Sequence, residues 1–330
     1  MASSESPCRP GLIFLVVLIV FSACSSLAEA QVQPQGFAVE RFYPSAPGSG
    51  WFVMDDLNMN GGWGGAIVLT GGYARNPLTV TSPDGTQRIP LVSDAAFIDA
   101  GVAGTYNRYR LYLNFPMPLR VSGTSGPLGP YILNAPAVSL GTNPDTISDP
   151  RVGFDTRVFG SAESPLRLGV GAQLIFPSGE QADYVSDGTY RGMFRFLAAG
   201  DTARYSYAGQ LGVHVRPLES SPVPGGPDGN ELLFGVAAGR KFAPRTGWTA
   251  VLGPEIFGET AFQSFLNEEK TGVEGLLTGR FERNGTEPRL RIKLGIGHGI
   301  VQHFGAPQWR MLFGVELYGS PERKPDRAQP

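Results

Sequence analysis

The sequence predicts an all-β protein, an antiparallel up-and-down transmembrane β-barrel of about twelve strands. Three observations predict it. The segment "LRIKLGIGHGIVQ" (290–302) and others like it alternate apolar and polar residues with period two, the pattern of a strand with one greasy face. After the N-terminus no run of about twenty apolar residues occurs, so no helix in the body of the chain is long enough to cross a bilayer. The connections between alternating segments are short and long in turn, as when a meander places all its tight turns at one end and all its loops at the other.

The chain has 330 residues with 27 Lys and Arg against 29 Asp and Glu, so its net charge gives no hint of a nucleic-acid partner. Its 45 glycines and 28 prolines argue against a helical protein. The first thirty residues read as a secretory signal peptide: Arg9, a short apolar run from Gly11 to Ala23, then the small residues Ala28 and Ala30. Cleavage is expected after Ala30. Cys24 follows Phe21-Ser22-Ala23, so a lipoprotein signal is the alternative, against which Phe21 is a poor fit. Both cysteines, Cys8 and Cys24, fall in this leader, and the mature chain is expected to have no disulfide.

Residues 31–62 are irregular and rich in Pro, Gly and Asn, a candidate to enter the lumen as a plug. Residues 63–319 form the barrel, with strands near 64–75, 92–106, 108–119, 150–161, 165–177, 189–199, 203–216, 231–240, 248–259, 271–283, 288–301 and 308–319. Residues 320–330 are a C-terminal tail. Eleven residues per strand, tilted by about 40°, span roughly 28 Å, close to the outer-membrane apolar band of about 25 Å.

The alternation assigns faces. Lipid is expected to meet Leu290, Ile292, Leu294 and Ile296, and an interfacial girdle to include Tyr109, Phe176, Tyr205, Tyr207, Trp248, Phe281 and Trp309. The lumen face carries Arg108, Arg110, Arg151, Arg157, Arg167, Arg195, Arg204, Arg280, Arg289, Arg291, Lys293 and Arg310, against the acids Asp99, Asp155, Glu255, Glu274, Glu282 and Glu316. This basic excess would favour anions in any open passage. Gly295, Gly297 and Gly299 on the same face would leave room at the solute's entrance. A barrel of this size lies between the side-chain-filled eight-stranded kind and the wide porins.

Short motifs add a resemblance. Asp149-Pro150-Arg151-Val152-Gly153, Phe176-Pro177-Ser178-Gly179 and Glu231-Leu232-Leu233-Phe234-Gly235 resemble the N-terminal β-barrel of OmpA-like outer-membrane proteins of Gram-negative bacteria. That barrel is similar to the meta-pathway phenol-degradation outer-membrane transporters. The resemblance implies a barrel over about 36–320, here without the acidic repeats and peptidoglycan-binding domain of the longer OmpA-like members.

The expected function is a passive pore or transporter for small solutes. The alternatives are a structural or surface-display barrel with a filled lumen and, last, an outer-membrane hydrolase. Expected partners are outer-membrane lipid, the barrel-assembly machinery and a small solute of unstated identity. No cofactor or metal is expected, since His214, His298 and His303 have no zinc-site spacing. Gly295-Ile296-Gly297-His298-Gly299 falls inside a strand and is not a nucleotide loop. Ser206 and His214 share a face but lie eight residues apart on one strand, too far to form a catalytic pair.

Overall fold

The computed structural model describes residues 36–59, 61–82, 84–128, 131–140, 147–218, 229–245, 247–285, 287–302 and 305–319. The leader, Cys24, His303 and the tail from 320 lie outside the described residues. Twelve long strands make one closed antiparallel barrel: β1 (Trp63–Thr81), β2 (Arg88–Tyr106), β3 (Tyr109–Ser122), β7 (Arg151–Phe159), β8 (Arg167–Ile175), β9 (Arg191–Asp201), β10 (Tyr205–Val215), β11 (Glu231–Arg245), β12 (Trp248–Ala261), β13 (Thr271–Arg283), β14 (Arg289–Val301) and β15 (Trp309–Gly319). Three short strands, β4 (Gly126–Leu128), β5 (Tyr131–Leu133) and β6 (Ala137–Ser139), lie in the long connection after β3. Each long strand pairs with its neighbour in the chain, and β1 closes the ring on β15 from Gly65↔Gly319 to Arg75↔Trp309. Closure leaves no unpaired edge, the condition for placing strands in lipid.

Two expectations on strand extent are corrected. The first hairpin is taller than its alternation suggested, with β1 and β2 each of 19 residues. Its upper part follows a second pattern: Leu78, Val80, Leu91 and Val92 pack with Leu128, Leu133 and Val138 of the short strands, and with Tyr184 and Leu218, in a small core above the barrel. The long connection between the expected strands 108–119 and 150–161 thereby acquires β4–β6. Next to β3, β7 and β8 have nine residues each, shorter than expected.

The outer surface is apolar. Ile67, Leu69, Val102, Leu111, Leu211, Val236, Leu252, Leu294, Ile296 and Phe313 are all exposed on it, while Arg291 and Lys293, alternating with Leu294, are buried inside. Aromatic pairs mark both borders. Trp63 packs on Tyr106 at 4.8 Å beside the short turns, and Tyr73 packs on Trp309 at 5.1 Å toward the long loops. Trp63 and Tyr73 are ten residues apart on β1, about 25 Å along the barrel axis at roughly 3.3 Å per residue and a tilt of about 40°. That distance is the height of an outer-membrane apolar band.

Leu294 is exposed to lipid four residues below the upper border set by His298 and Trp309. Leu294→Arg is expected to destabilise the barrel by about 2–4 kcal/mol. Urea titration of the folded barrel in lipid vesicles would show it, and an unchanged midpoint would invert the face assignment.

Candidate functional site

The lumen is occupied by the chain's own N-terminal segment. Phe37, Phe42, Trp51, Phe52, Met54, Leu57 and Met59 are each at most 2% exposed. Near the long loops the Ala38 amide donates to Asp187 Oδ1 (2.8 Å) and the Val39 amide to the Tyr184 carbonyl (3.0 Å). The segment then turns back on itself at Ala46–Ser49, where the Ser49 amide donates to the Ala46 carbonyl (3.0 Å) and the Ser45 amide to the Phe52 carbonyl (2.8 Å). It leaves past Asn58 and Met59 toward the short turns, where β1 starts.

A segment without regular structure carries backbone groups that must be satisfied. Here the barrel wall satisfies them with charges. Glu255 accepts from the amides of Phe52 (2.9 Å), Val53 (2.9 Å) and Met54 (3.3 Å), and from the Thr278 hydroxyl (2.6 Å). Glu316 accepts from the Gly48 amide. In the opposite sense Arg291 donates to the carbonyls of Gly48 (3.0 Å) and Ser49 (2.9 Å), Lys293 to Trp51 (3.2 Å), Arg167 to Asp56 (2.9 Å), and Arg157 to Leu57 (2.9 Å) and Met59 (2.6 Å).

Side-chain ion pairs complete the seal. Asp55 pairs with Arg110, which also reaches Asp155 at 2.9 Å. Glu40 takes Arg310 (2.8 Å), whose Nε donates to Glu274 (2.7 Å). Arg41 lies between Glu259 (3.1 Å) and Glu231 (3.4 Å). Asp99 holds Arg151 at 2.8 Å on the wall itself, and Arg195 holds Asp155 at 3.1 Å.

Most of the lumen charges read from the sequence therefore lie inside: Arg110, Arg151, Arg157, Arg167, Arg195, Arg280, Arg291, Lys293 and Arg310, with Asp99, Asp155, Glu255, Glu274 and Glu316, are buried, and Glu282 is half-buried. Two assignments are corrected. Arg108 and Arg204 are exposed in the tight turns. Strict alternation does not continue through a turn, so parity counted past a strand end misplaces them. Arg289, the first residue of β14, keeps the parity of Arg291 but is exposed at the rim, where it pairs with Glu287 at 3.1 Å. The space expected beside Gly295, Gly297 and Gly299 is also corrected. A Cβ at Gly295 would approach the Phe52 ring to 2.9 Å, so that gap admits the plug rather than a solute. At Gly297 and Gly299 the neighbours are Leu276 and the 306–307 backbone. Gly235 opens the same kind of notch for Met54.

Of the girdle residues, Tyr109, Tyr205, Phe281 and Trp309 are exposed on the outer surface. Trp248, Tyr207 and Phe176 are half-buried; Tyr207 donates its hydroxyl to the Pro165 carbonyl, and Phe176 meets Tyr190 edge-on at 5.8 Å. Ser206 accepts from Arg280 (3.1 Å), and His214 stands apart from it against Glu259 (3.3 Å) and Glu231 (3.4 Å).

The trio His214, Glu231 and Glu259 comes from β10, β11 and β12, so spacing along the sequence does not reveal it. Its three nearest ligand atoms lie within 4.8 Å of one another. Arg41 and Arg216 (3.1 Å from Glu231) already neutralise its carboxylates, which makes it an ion-pair cluster that grips the plug. The plug residues Glu40, Arg41, Asp55 and Asp56 escaped sequence reading because an irregular segment has no period.

The plug separates two spaces. Toward the short turns lies a charged vestibule of about 640 Å³ bordered by Asp56, Asn58, Arg110, Asp201, Lys241 and Arg291. Toward the long loops a smaller recess of about 90 Å³ is walled by Phe42, Tyr43, Phe97, Pro116, Pro118 and Val185.

No protein-family model matches the chain, and no curated protein matches it. Among solved structures it is similar to the COG4313 outer membrane channel from Pseudomonas putida F1, with a TM-score of 0.51 and 10% identity over 79% of this chain and 96% of that one. It is also similar to the NanC porin, with a TM-score of 0.46 and 8% identity over 77% of this chain and 99% of that one. The likeness is one of fold.

Two outcomes follow. Glu255→Ala strands three buried amides, each worth about 1–3 kcal/mol when unsatisfied, and is expected to expose Trp51–Met54 to proteolysis; cleavage no faster than in the parent would refute the anchor. The second concerns pH. Burial would raise the Asp187 carboxyl, but Arg216, then Arg191 and Arg41, bring it down from 3.8 to about 2. A depressed folded value means that this anchor is at full strength above pH 3.8 and is lost as pH falls through about 2. Pepsin should therefore spare residues 36–44 near pH 4 and cut them near pH 2, and Asp187→Asn should be cut at both.

Proposed function

We propose that the chain is an outer-membrane channel for small solutes, held nearly closed by its N-terminal segment. The observation that carries this reading is the plug between two open spaces. It is joined covalently to the barrel where the chain runs on into β1, and it is otherwise fastened to the wall by hydrogen bonds and ion pairs, without joining the sheet. Such contacts can exchange for water one at a time, so a shift of the plug joins the vestibule to the loop side without disturbing the barrel. This keeps the barrel part of the OmpA-like resemblance and the transporter class similar to it. The proposal includes export, cleavage after Ala30 and insertion by the barrel-assembly machinery. N-terminal sequencing checks the cleavage; a mature chain beginning elsewhere contradicts it.

The charge ledger refines the anion preference. Twelve Arg and Lys are buried against eleven Asp and Glu, plug included. Asp55 and Asp56, set against Arg41, thus halve the basic excess of the wall from two charges to one among the described residues, and a conducting state that keeps the plug is less selective. A state without it favours anions. The alternative, a structural barrel with a permanently filled lumen, draws on the near-complete pairing of those charges.

Planar-bilayer recording separates the two. The intact chain should show small, brief openings with weak selectivity. A chain lacking residues 37–57 should conduct several-fold more and shift its reversal potential toward anions. Since a deletion can fail to fold, Glu255→Ala with Glu316→Ala serves beside it and should lengthen the openings. Silence in folded samples of all three would favour the structural barrel.

A further inference from the structure

One patch on the outer wall is not explained by a plugged channel. The lipid face at the long-loop border carries two arginines. Arg120 on β3 is exposed, and its side chain has no ion-pair or hydrogen-bond partner among the described residues. Arg75 on β1 is 43% exposed and commits Nη1 to Asp94 at 2.6 Å. An arginine facing lipid costs about 2–4 kcal/mol at the bilayer midplane and falls to about 0–1 at the interface, so both belong at headgroup depth.

The register places them together. His298 Nδ1 donates to the Gln308 carbonyl (2.6 Å), one residue beyond the last β14–β15 pair, Gly297↔Arg310. Trp309 pairs with Arg75, and Arg75 with Asp94. One row lower, Tyr73 pairs with Ala96, and Ala96 with Arg120. Arg75 and Arg120 are thus two strands and one row apart, about 12 Å, on one face. Asp94 takes the Tyr73 hydroxyl as well as Arg75, so it orients this guanidinium rather than leaving a bare negative charge outside. Directly above, a recess of about 360 Å³ bordered by Arg88, Asn76 and Gln308 extends the cationic surface away from the apolar band.

We propose that this face binds the phosphorylated glycolipid headgroups of the outer leaflet. Arg75 and Arg120 grip phosphate, Trp309 and Tyr73 lie at the ester and sugar level, and the Arg88 recess accepts the next polar group outward. Charge complementarity argues for it, since guanidinium forks match phosphate and the neighbouring aromatics belong at that depth. The inference rests on the reading as an outer-membrane channel, with the long loops on the extracellular side as in other outer-membrane barrels.

Native mass spectrometry of the full chain in detergent tests it, with bisphosphorylated lipid A, the same lipid without its phosphates, phosphatidylglycerol and inorganic phosphate as probes. The parent should retain the bisphosphorylated lipid in preference to the other three. Arg75→Gln with Arg120→Gln should lose about tenfold or more of that retention, given the attraction of each basic residue for an anionic surface. Arg108→Gln with Arg204→Gln, at the other end of the barrel, should lose none. Heat-dependent electrophoretic mobility confirms that each variant is a folded barrel. Equal retention of the dephosphorylated lipid, preference for phosphatidylglycerol, displacement by inorganic phosphate, or an equal loss in the control pair would each overturn the proposal. Conductance reads the lumen and lipid retention reads the outer wall, so either reading can fail while the other stands.

Discussion

The structure depends on one constraint: charge buried in a barrel lumen must find partners. A twelve-stranded barrel encloses more space than its own side chains fill and less than a wide pore needs. Its wall turns arginines, Lys293 and carboxylates into that space, and an isolated buried charge is far too costly to leave bare. The N-terminal segment supplies what is missing. Its amides meet Glu255 and Glu316, its carbonyls meet Arg157, Arg167, Arg291 and Lys293, and its own acids meet Arg110 and Arg310. Wall and plug are halves of one network, and neither is satisfied alone.

Such a network gives specificity more than stability. Each buried pair roughly offsets its own desolvation, yet removing one partner leaves the other stranded. The apolar stretch Trp51–Met54, with Phe42, Phe97 and Phe257 around it, supplies the hydrophobic contribution and seats the segment in depth. The charges then fix its register, because a shift by one residue would move Asp55 away from Arg110 and the Gly48 and Ser49 carbonyls away from Arg291. A plug held this way is closed at rest and can be released in steps.

The barrel was legible because period two is written into every long strand. Leu294 and Lys293 alone divide lipid from lumen, and Arg110, Arg151, Asp155 and Glu255 followed from the same parity. Parity failed in the turns, at Arg108 and Arg204, since a turn resets the face. It failed differently for the plug. Residues 36–59 bind through backbone groups, which every residue has, so no side-chain pattern marks the contact. Their Pro, Gly and Asn content suggested an irregular segment that could enter the lumen, and nothing in the sequence pairs Glu255 with the Phe52 amide. The cluster of His214, Glu231 and Glu259 was hidden for a related reason, because it assembles across three strands.

The central claim is that residues 37–59 are part of the folded barrel and bound in register to its wall. Amide hydrogen exchange on the intact protein in lipid tests it most directly. The account predicts that the amides of Phe52, Val53 and Met54 exchange as slowly as those of the neighbouring strands β12 and β14, since opening them requires breaking buried bonds to Glu255. Exchange of those three at the rate of an unstructured peptide, with the strands still protected, would contradict it.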